Sequence, residues 1–287
     1  GEVKLVAQQP GRIMQVLAGI NDRVSAGDPL VVLDAADLLV KHTAAEAEVS
    51  VRKQERDSEP VTGVARDRRV AEDNLYAAER QLWQARADVD RVLTIRPEPA
   101  TKAADLAKAR EAVTQALAKV DAARTAARKA QTATGIPPYN RIEAALSTAR
   151  ADVELAEIAI DRMTIRAPKS GTILQAHATV GELAAPSAEA VLIVLGDVST
   201  LRVKAEIEER DIGKVRIGQA AVVRSDAFPD KSFNGTIAQM GQSLGPSRMG
   251  PRGPRKPTDV DVLEVTIDLE GSTTLLPGMR VDVFLKP

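Results

Sequence analysis

Residues 11–34 read GRIMQVLAGINDRVSAGDPLVVLD, and residues 171–197 read GTILQAHATVGELAAPSAEAVLIVLGD. Each runs from a glycine through an alternating strand (Ile13, Gln15 and Leu17; Ile173 and Gln175). Each then passes a polar turn and enters an apolar strand that ends in aspartate. Neither stretch has enough apolar surface to fold alone, so the two are expected to pair into one small β domain. Whatever lies between them must then leave and return at one place, as a projecting antiparallel hairpin. Such a geometry supplies reach rather than catalysis.

The 287 residues are enough for two or three domains. Lys and Arg number 39 against 40 Asp and Glu, a net charge of −1, so the chain has no global basic footprint for nucleic acid. One Trp, two Tyr and three Phe leave few rings for stacking bases or lining a cofactor pocket. With no cysteine, disulfides, thiolate metal sites and cysteine nucleophiles are excluded. No run of about 18 apolar residues spans a membrane, and nothing reads as a signal peptide. The middle of the chain is rich in alanine and charge and poor in glycine, a coiled-coil composition.

After Asp34, a candidate N-cap, helical periodicity begins with Leu38, His42, Ala45 and Val49. It stops at Glu59-Pro60-Val61-Thr62-Gly63. A second helix places Ala71, Leu75, Ala78, Leu82, Ala85, Val89 and Val92 on a narrow stripe and ends at Ile95-Arg96-Pro97-Glu98-Pro99. The third carries Leu106, Val113, Val120 and Ala127 beside Ala109, Ala116, Ala123 and Ala130, and breaks at Gly135–Pro138. The fourth carries Ile142, Leu146, Ala149, Val153, Ala156, Ile160 and Met163. Stripes this narrow suit two-helix coiled coils. With a tip near residues 95–101, the two breaks face each other as a shared joint, and a straight arm would reach roughly 90 Å. A compact four-helix bundle folded at all three breaks is the alternative.

Beyond Asp197 the segments 201–208, 219–225, 233–240, 262–269 and 279–285 read as strands of a small antiparallel barrel. Residues 209–215 form a short helical turn. Residues 241–258, GQSLGPSRMGPRGPRKPT, are expected as a mobile loop.

Several ordered motifs give the chain a resemblance. They are Asp22-Arg23-Val24 through Asp34; Arg166-Ala167-Pro168-Lys169-Ser170-Gly171-Thr172-Ile173 directly after the hairpin; and Glu208–Val215 leading to Gly218-Gln219. Ser225-Asp226-Ala227-Phe228-Pro229, Phe233-Asn234-Gly235-Thr236-Ile237 and Leu276-Pro277-Gly278-Met279 extend it. Over nearly its whole length the chain resembles the periplasmic adaptors, or membrane fusion proteins, of tripartite efflux and secretion pumps. The 225–229 and 259–265 segments look most like adaptors serving ABC-type exporters.

The resemblance implies an α+β, elongated, multi-domain fold: a long antiparallel coiled-coil hairpin inserted in a split lipoyl-like β-sandwich, followed by a small antiparallel β-barrel. Residues 1–10 would be an N-terminal strand that could lie near the membrane, and residues 11–34 with 165–197 the lipoyl-like domain. Residues 35–164 would be the hairpin, 198–270 the barrel, and 271–287 a last strand of the barrel or of a membrane-proximal domain formed by the two chain ends. It further implies a place in the periplasm of a diderm bacterium, with an anchoring segment ahead of Gly1. The implied partners are an inner-membrane transporter (an ABC permease), a TolC-like outer-membrane duct and further copies of itself, as a hexamer. No nucleic acid and no cofactor are implied.

Residue by residue, the resemblance places duct contact at the hairpin tip: Arg91, Ile95, Arg96 and Thr101. The family's arginine-leucine-leucine-serine pattern is met loosely by Arg91, Val92 and Ile95, and Thr101 or Lys102 stands where serine is usual. A channel constriction would fall at Val180, before Gly181, and would be apolar where some relatives have glutamine. Arg248, Arg252, Arg255 and Lys256 could face the transporter or anionic lipid, or merely keep a loop solvated.

No catalytic constellation is present. His42 lies on a helical stripe and reads as a seam residue, His177 stands apart, and no metal-ligand spacing surrounds either. Ser170 lacks a hydrolase elbow, and no GxxxxGK[ST] occurs. A lipoyl or biotinyl carrier subunit would need a lysine at the turn between its halves, where Asp34-Ala35-Ala36 instead enters a helix and Lys41 lies within it. A coiled-coil scaffold with no transport role is the remaining rival.

Overall fold

The computed structural model describes residues 2–94, 99–198, 201–246, 261–271 and 274–286. The chain divides into two units, residues 2–195 and residues 196–287. In the first, strands β1 (Val3–Leu5), β2 (Gly11–Val16), β3 (Arg23–Val24) and β4 (Pro29–Leu33) precede four helices. These are α1 (Ala36–Asp57), α2 (Gly63–Thr94), α3 (Pro99–Gln131) and α4 (Arg141–Asp161). Strands β5 (Thr164–Arg166), β6 (Gly171–Ala176), β7 (Leu183–Ala184) and β8 (Ile193–Gly196) follow.

The strands form two sheets, ordered β1-β8-β6-β3 and β5-β4-β2-β7, and the two sequence halves cross-pair. Gly11 and Arg12 of β2 pair with Ala184 and Leu183, while Gly171 and Thr172 of β6 pair with Val24 and Arg23. These are the same contacts with the halves exchanged. The Ile13 N–H donates to the Glu182 carbonyl at 2.8 Å, and the Ile173 N–H donates to the Asp22 carbonyl at 2.9 Å. The Gly181 and Asn21 N–H groups return to the carbonyls of Ile13 and Ile173. Both turns need a left-handed residue, met by Asn21 (φ 71°) and Gly181 (φ 94°). Ile13, Leu30, Leu33, Ile173, Ile193 and Leu195, drawn from both halves, are fully buried in one core. This is the split lipoyl-like sandwich.

The helices leave after β4 and return at β5, which pair directly through Val31 with Ile165 and Val32 with Thr164. Ala35, not Asp34, occupies the cap position of α1. Asp34 stands one residue earlier, where its Oδ1 accepts the Ala36 N–H at 3.0 Å. The first orphan donor of the helix is satisfied all the same.

Within the insert α1 packs on α4, and α2 packs on α3. The seams are the stripes read from sequence: Val49, Leu146, Ala149 and Val153 bury in one, and Ala78, Ala85, Ala116, Val120 and Ala127 in the other. The inserted hairpin is thus present, but its straight form is corrected. Arg56 meets Asp73 at 2.8 Å, though a continuous helix would hold them about 25 Å apart. The His42 and Trp83 rings stack at 4.8 Å. The outer pair α2–α3 is folded back on α1–α4, giving the four-helix bundle that the sequence left as the alternative. The physical reason is a set of complementary charges that reach between the two helix pairs, described below.

The second unit holds β9 (Arg202–Glu208), a 3-10 helix (Glu209–Lys214), β10 (Ala220–Arg224), β11 (Ser232–Pro246), β12 (Asp261–Leu269) and β13 (Asp282–Leu285). They form one antiparallel sheet, ordered β13-β10-β11-β12-β9. Alternate residues Val203, Ala205, Ala221, Val223, Ile237, Leu263, Val265 and Ile267 fill its core. Register shifts after Ile237 and Met240 mark irregularities of the kind that bend a strand toward barrel form.

Two boundaries differ from expectation. Residues 241–246 are not loop: Leu244, Gly245 and Pro246 still pair with Leu263, Val262 and Asp261, because the irregularities restore register past the glycines. Among the described residues the strands near the two chain ends do not pair with each other. Strand β1 pairs with β8 in the lipoyl-like sandwich, whereas β13 pairs with β10 in the barrel sheet.

Because both halves contribute strands to each sheet and side chains to a shared core, Ile13→Ala and Ile173→Ala should cost about the same, ~2–5 kcal/mol each. Urea unfolding followed by circular dichroism checks this. A clearly smaller loss at one of the two sites would mean that the halves do not share a core.

Candidate functional site: an ionic joint and the expected contact residues

The breaks at 58–62 and 132–140 meet four helix ends, and charged side chains bind them together. Gly63 (φ 61°) and Gly135 (φ 79°) take left-handed conformations there, and Pro60, Pro137 and Pro138 interrupt the helical hydrogen bonding. Asn140 caps α4 by accepting the Glu143 N–H at 2.8 Å, and Glu143 closes the capping box by accepting the Asn140 N–H at 3.2 Å. The same Glu143 carboxylate accepts from Arg68 and from Arg69, each at 2.7 Å. Arg69 also donates to the carbonyls of Arg56 and Glu59 at the end of α1, and Arg68 donates to the Pro137 carbonyl. Arg68 lies over the Tyr139 ring at 4.3 Å. Across the two breaks, Asn140 Nδ2 reaches Glu59 Oε2 at 3.0 Å.

Three further clusters run along the fold-back. Asp73 of α2 accepts from Arg56 of α1 and from Arg150 of α4. Arg80 of α2 pairs with Glu157 of α4, which also faces His42 of α1 at 3.3 Å. Asp90, near the end of α2, takes a two-pronged contact from Arg166 of β5 at 2.6 and 2.5 Å. Tyr76 lies between the Arg80 and Arg150 guanidinium groups. His42 is 5% exposed, so it is the seam residue that its spacing indicated.

The electrostatics follow from these contacts. Burial alone would raise the Asp73 carboxyl, but hydrogen bonds from Arg56 and Arg150 outweigh it and hold Asp73 below its ordinary value. Glu143 is likewise lowered: Arg69, the Asn140 N–H and Arg68 override its desolvation. Asp73 in turn raises Arg56, against burial. Buried pairs of this sort specify geometry more than they stabilise.

Of the residues expected to make contacts, Arg91 is exposed at the end of α2 and pairs with Asp88. Ile95 and Arg96 lie outside the described residues, and Thr101 falls in α3 with its side chain also outside them. Arg248, Arg252, Arg255 and Lys256 lie outside as well. Val180 is 60% exposed on the turn before Gly181. The fold-back brings the end of α2 to the lipoyl-like sandwich, as the Asp90–Arg166 pair shows. Ser170 Oγ accepts the Ala26 N–H at 3.0 Å and so ties the two halves together. Among the described residues, no three His, Asp or Glu side chains converge as metal ligands would. The ionic joint was missed from sequence, although the N-x-x-E of residues 140–143 was a readable capping signal.

Carboxyls lowered in the folded state give stability that is present above their unfolded values, near pH 4, and lost as pH falls through the folded values. The thermal midpoint of the helices should therefore hold from pH 7 to about 5 and drop below about pH 4. In Asp73→Asn/Glu143→Gln the midpoint should start lower at pH 7 and fall less on acidification. Equal acid sensitivity in both proteins would contradict the assignment.

A YknX-like β-barrel domain family matches residues 201–284, the unit built on β9–β13. The chain is 29% identical over 245 residues to the fatty acid resistance protein FarA of Neisseria gonorrhoeae, covering 85% of this chain and 60% of that protein. It is 25% identical over 260 residues to the multidrug resistance protein MdtN of Escherichia coli K12, covering 86% of this chain and 72% of the relative. Among solved structures, MacA from Actinobacillus actinomycetemcomitans matches with a TM-score of 0.56 at 18% identity, covering 99% of this chain and 74% of that one. A MacA–MexA chimera carrying the Pseudomonas aeruginosa MexA α-hairpin domain matches with a TM-score of 0.55 at 18% identity, covering 100% and 76%. These two likenesses concern the fold. In its sequence and in the order of its modules, the chain resembles the periplasmic adaptors, or membrane fusion proteins, of efflux systems.

Proposed function

We propose that this chain is the periplasmic adaptor subunit of a tripartite efflux or secretion system, bridging an inner-membrane transporter and a TolC-like outer-membrane duct as part of an oligomeric funnel. One observation carries the reading: a helical hairpin inserted between the cross-paired halves of a lipoyl-like sandwich, followed by a barrel unit of the YknX-like type. Relatives named for resistance and export support it.

The work of such a subunit is mechanical, and the chain carries no reaction of its own. An ABC-type exporter is the transporter class we assign, six copies the assembly, and the periplasmic face of the inner membrane the location. Duct contact belongs to Arg91, Ile95, Arg96 and Thr101, transporter or lipid contact to Arg248, Arg252, Arg255 and Lys256, and an apolar constriction to Val180. The carrier-subunit rival is disfavoured because the sandwich turn that would present a modifiable lysine is replaced by the helices, with Lys41 inside α1. A plain scaffold has no use for the barrel unit.

Photo-crosslinking amino acids at positions 91 and 256, in cells of a diderm host making the full-length protein, separate these readings. Position 91 should capture an outer-membrane channel protein, and position 256 an inner-membrane transport protein. Recovery of only soluble acyl- or carboxyl-transfer subunits from both positions would support the carrier, and recovery of neither membrane partner would support the scaffold.

A further inference from the structure

The cross-hairpin contacts follow one rule on both sides of the joint. His42 faces Glu157, Glu59 faces Asn140, Glu72 faces Gln131, and Gln81 faces Lys119. In every pair the partner on the returning arm lies 6–10 residues farther from the turn between α2 and α3, an offset that changes little along the hairpin. That is the register of one continuous antiparallel hairpin, preserved although the hairpin is doubled over. If α2–α3 were an independent bundle element, nothing would require its pairing to continue that of α1–α4.

The two kinds of interface in the bundle also differ in chemistry. Each seam, α1 on α4 and α2 on α3, is closed by Ala, Val and Leu. Between the pairs the principal contacts are ionic: Glu143 with Arg68 and Arg69, Asp73 with Arg56 and Arg150, Glu157 with Arg80, and Asp90 with Arg166. The rings that enter this interface, Trp83 and Tyr76, stack on His42 and on arginines. Tyr76 also packs on the Val49, Leu146, Ala149 and Val153 cluster, but the rest of this interface, built of charges and of rings lying on charges, can be wetted without opening that cluster. The seams cannot.

The register and this division of chemistry point one way. We infer that the bundle is the folded-back state of a jackknife, in which α2–α3 swings off α1–α4 as one body about the paired breaks at 58–62 and 132–140. Both seams stay closed, and the four ion-pair clusters act as the latch. Only the two breaks need to change backbone conformation, and both already lack continuous helical hydrogen bonds across their prolines. The Arg69 contacts to the carbonyl end of α1 and the shared Glu143 hold the closed angle. Asp73, Asp90 and Arg166 each keep 27% of their side-chain surface exposed, so salt and solvent reach the latch there, whereas Arg56, Arg68, Arg69, Glu143 and Glu157 are each under a tenth exposed and are screened much less. The inference does not rest on the adaptor reading, because it concerns only how the two helix pairs are joined.

The absence of native cysteine makes the test clean. Spin labels on Thr43→Cys and Gln84→Cys, both exposed and adjacent to the stacked His42 and Trp83, report the angle between the pairs in the otherwise intact chain. Closed, the labels should lie within about 30 Å; opened straight, they would be about 60 Å apart. Labels on Ser50→Cys and Thr148→Cys, within the α1–α4 pair, serve as the control. In an Asp73→Asn/Asp90→Asn/Glu143→Gln background, and further at about 1 M salt, a population near 60 Å should appear while the control distance and the helical circular dichroism stay constant. Two results would overturn the inference. One is a single short distance under all conditions in a chain that remains folded. The other is loss of the control distance together with the long one, which would mean that the helices melt rather than swing.

Discussion

Two backbone hydrogen bonds set the terms for everything in the first unit: Ile13 to Glu182, and Ile173 to Asp22. They stitch segments separated by four helices into one pair of sheets. Once they form, β4 and β5 are neighbours, and the chain between them has no choice but to leave and return side by side. The hairpin is therefore a consequence of the sandwich. Its own stripes decide only how the returning helices grip each other.

The price of that arrangement is a long insert with two interruptions, and the protein uses the interruptions as a joint. At the joint, capping, ion pairing and chain reversal fall on the same residues. Glu143 begins α4, binds two arginines of α2, and through Arg69 is linked to the last carbonyls of α1. A carboxylate in that position is strongly committed to its partners, which accounts for its lowered protonation range. The apolar seams hold each helix pair together, and the charges decide how the pairs lie against each other.

Much of this was legible in the sequence, and the exceptions have a common cause. Repetition of Gly11, Ile13 and Gln15 as Gly171, Ile173 and Gln175 revealed the split domain, because alternation with matched turns leaves a visible pattern. The helix stripes and both breaks were readable for the same reason. The direction of α2 was not, since Leu75, Ala78 and Leu82 pack on α3 equally well in a straight or a doubled hairpin. Arg56, Asp73, Arg150 and Glu157 decide it, and in sequence they resemble ordinary solvated charges. Arg56 alone gave a hint: it falls on the α1 stripe, one heptad beyond Val49, where a buried cation demands a carboxylate from elsewhere. The residues expected at the duct and transporter ends lie mostly outside the described residues, so the joint, rather than the tip, is where the structure adds most.

Native-state hydrogen exchange on the intact chain probes the founding interaction most directly. The amides of Ile13, Asn21, Ile173 and Gly181 should share one opening free energy and respond together to low denaturant, because neither half of the sandwich can hold its bonds without the other. Protection of Ile173 and Gly181 that persists after Ile13 and Asn21 have exchanged, or the reverse, would show that one half stands alone and would contradict the account.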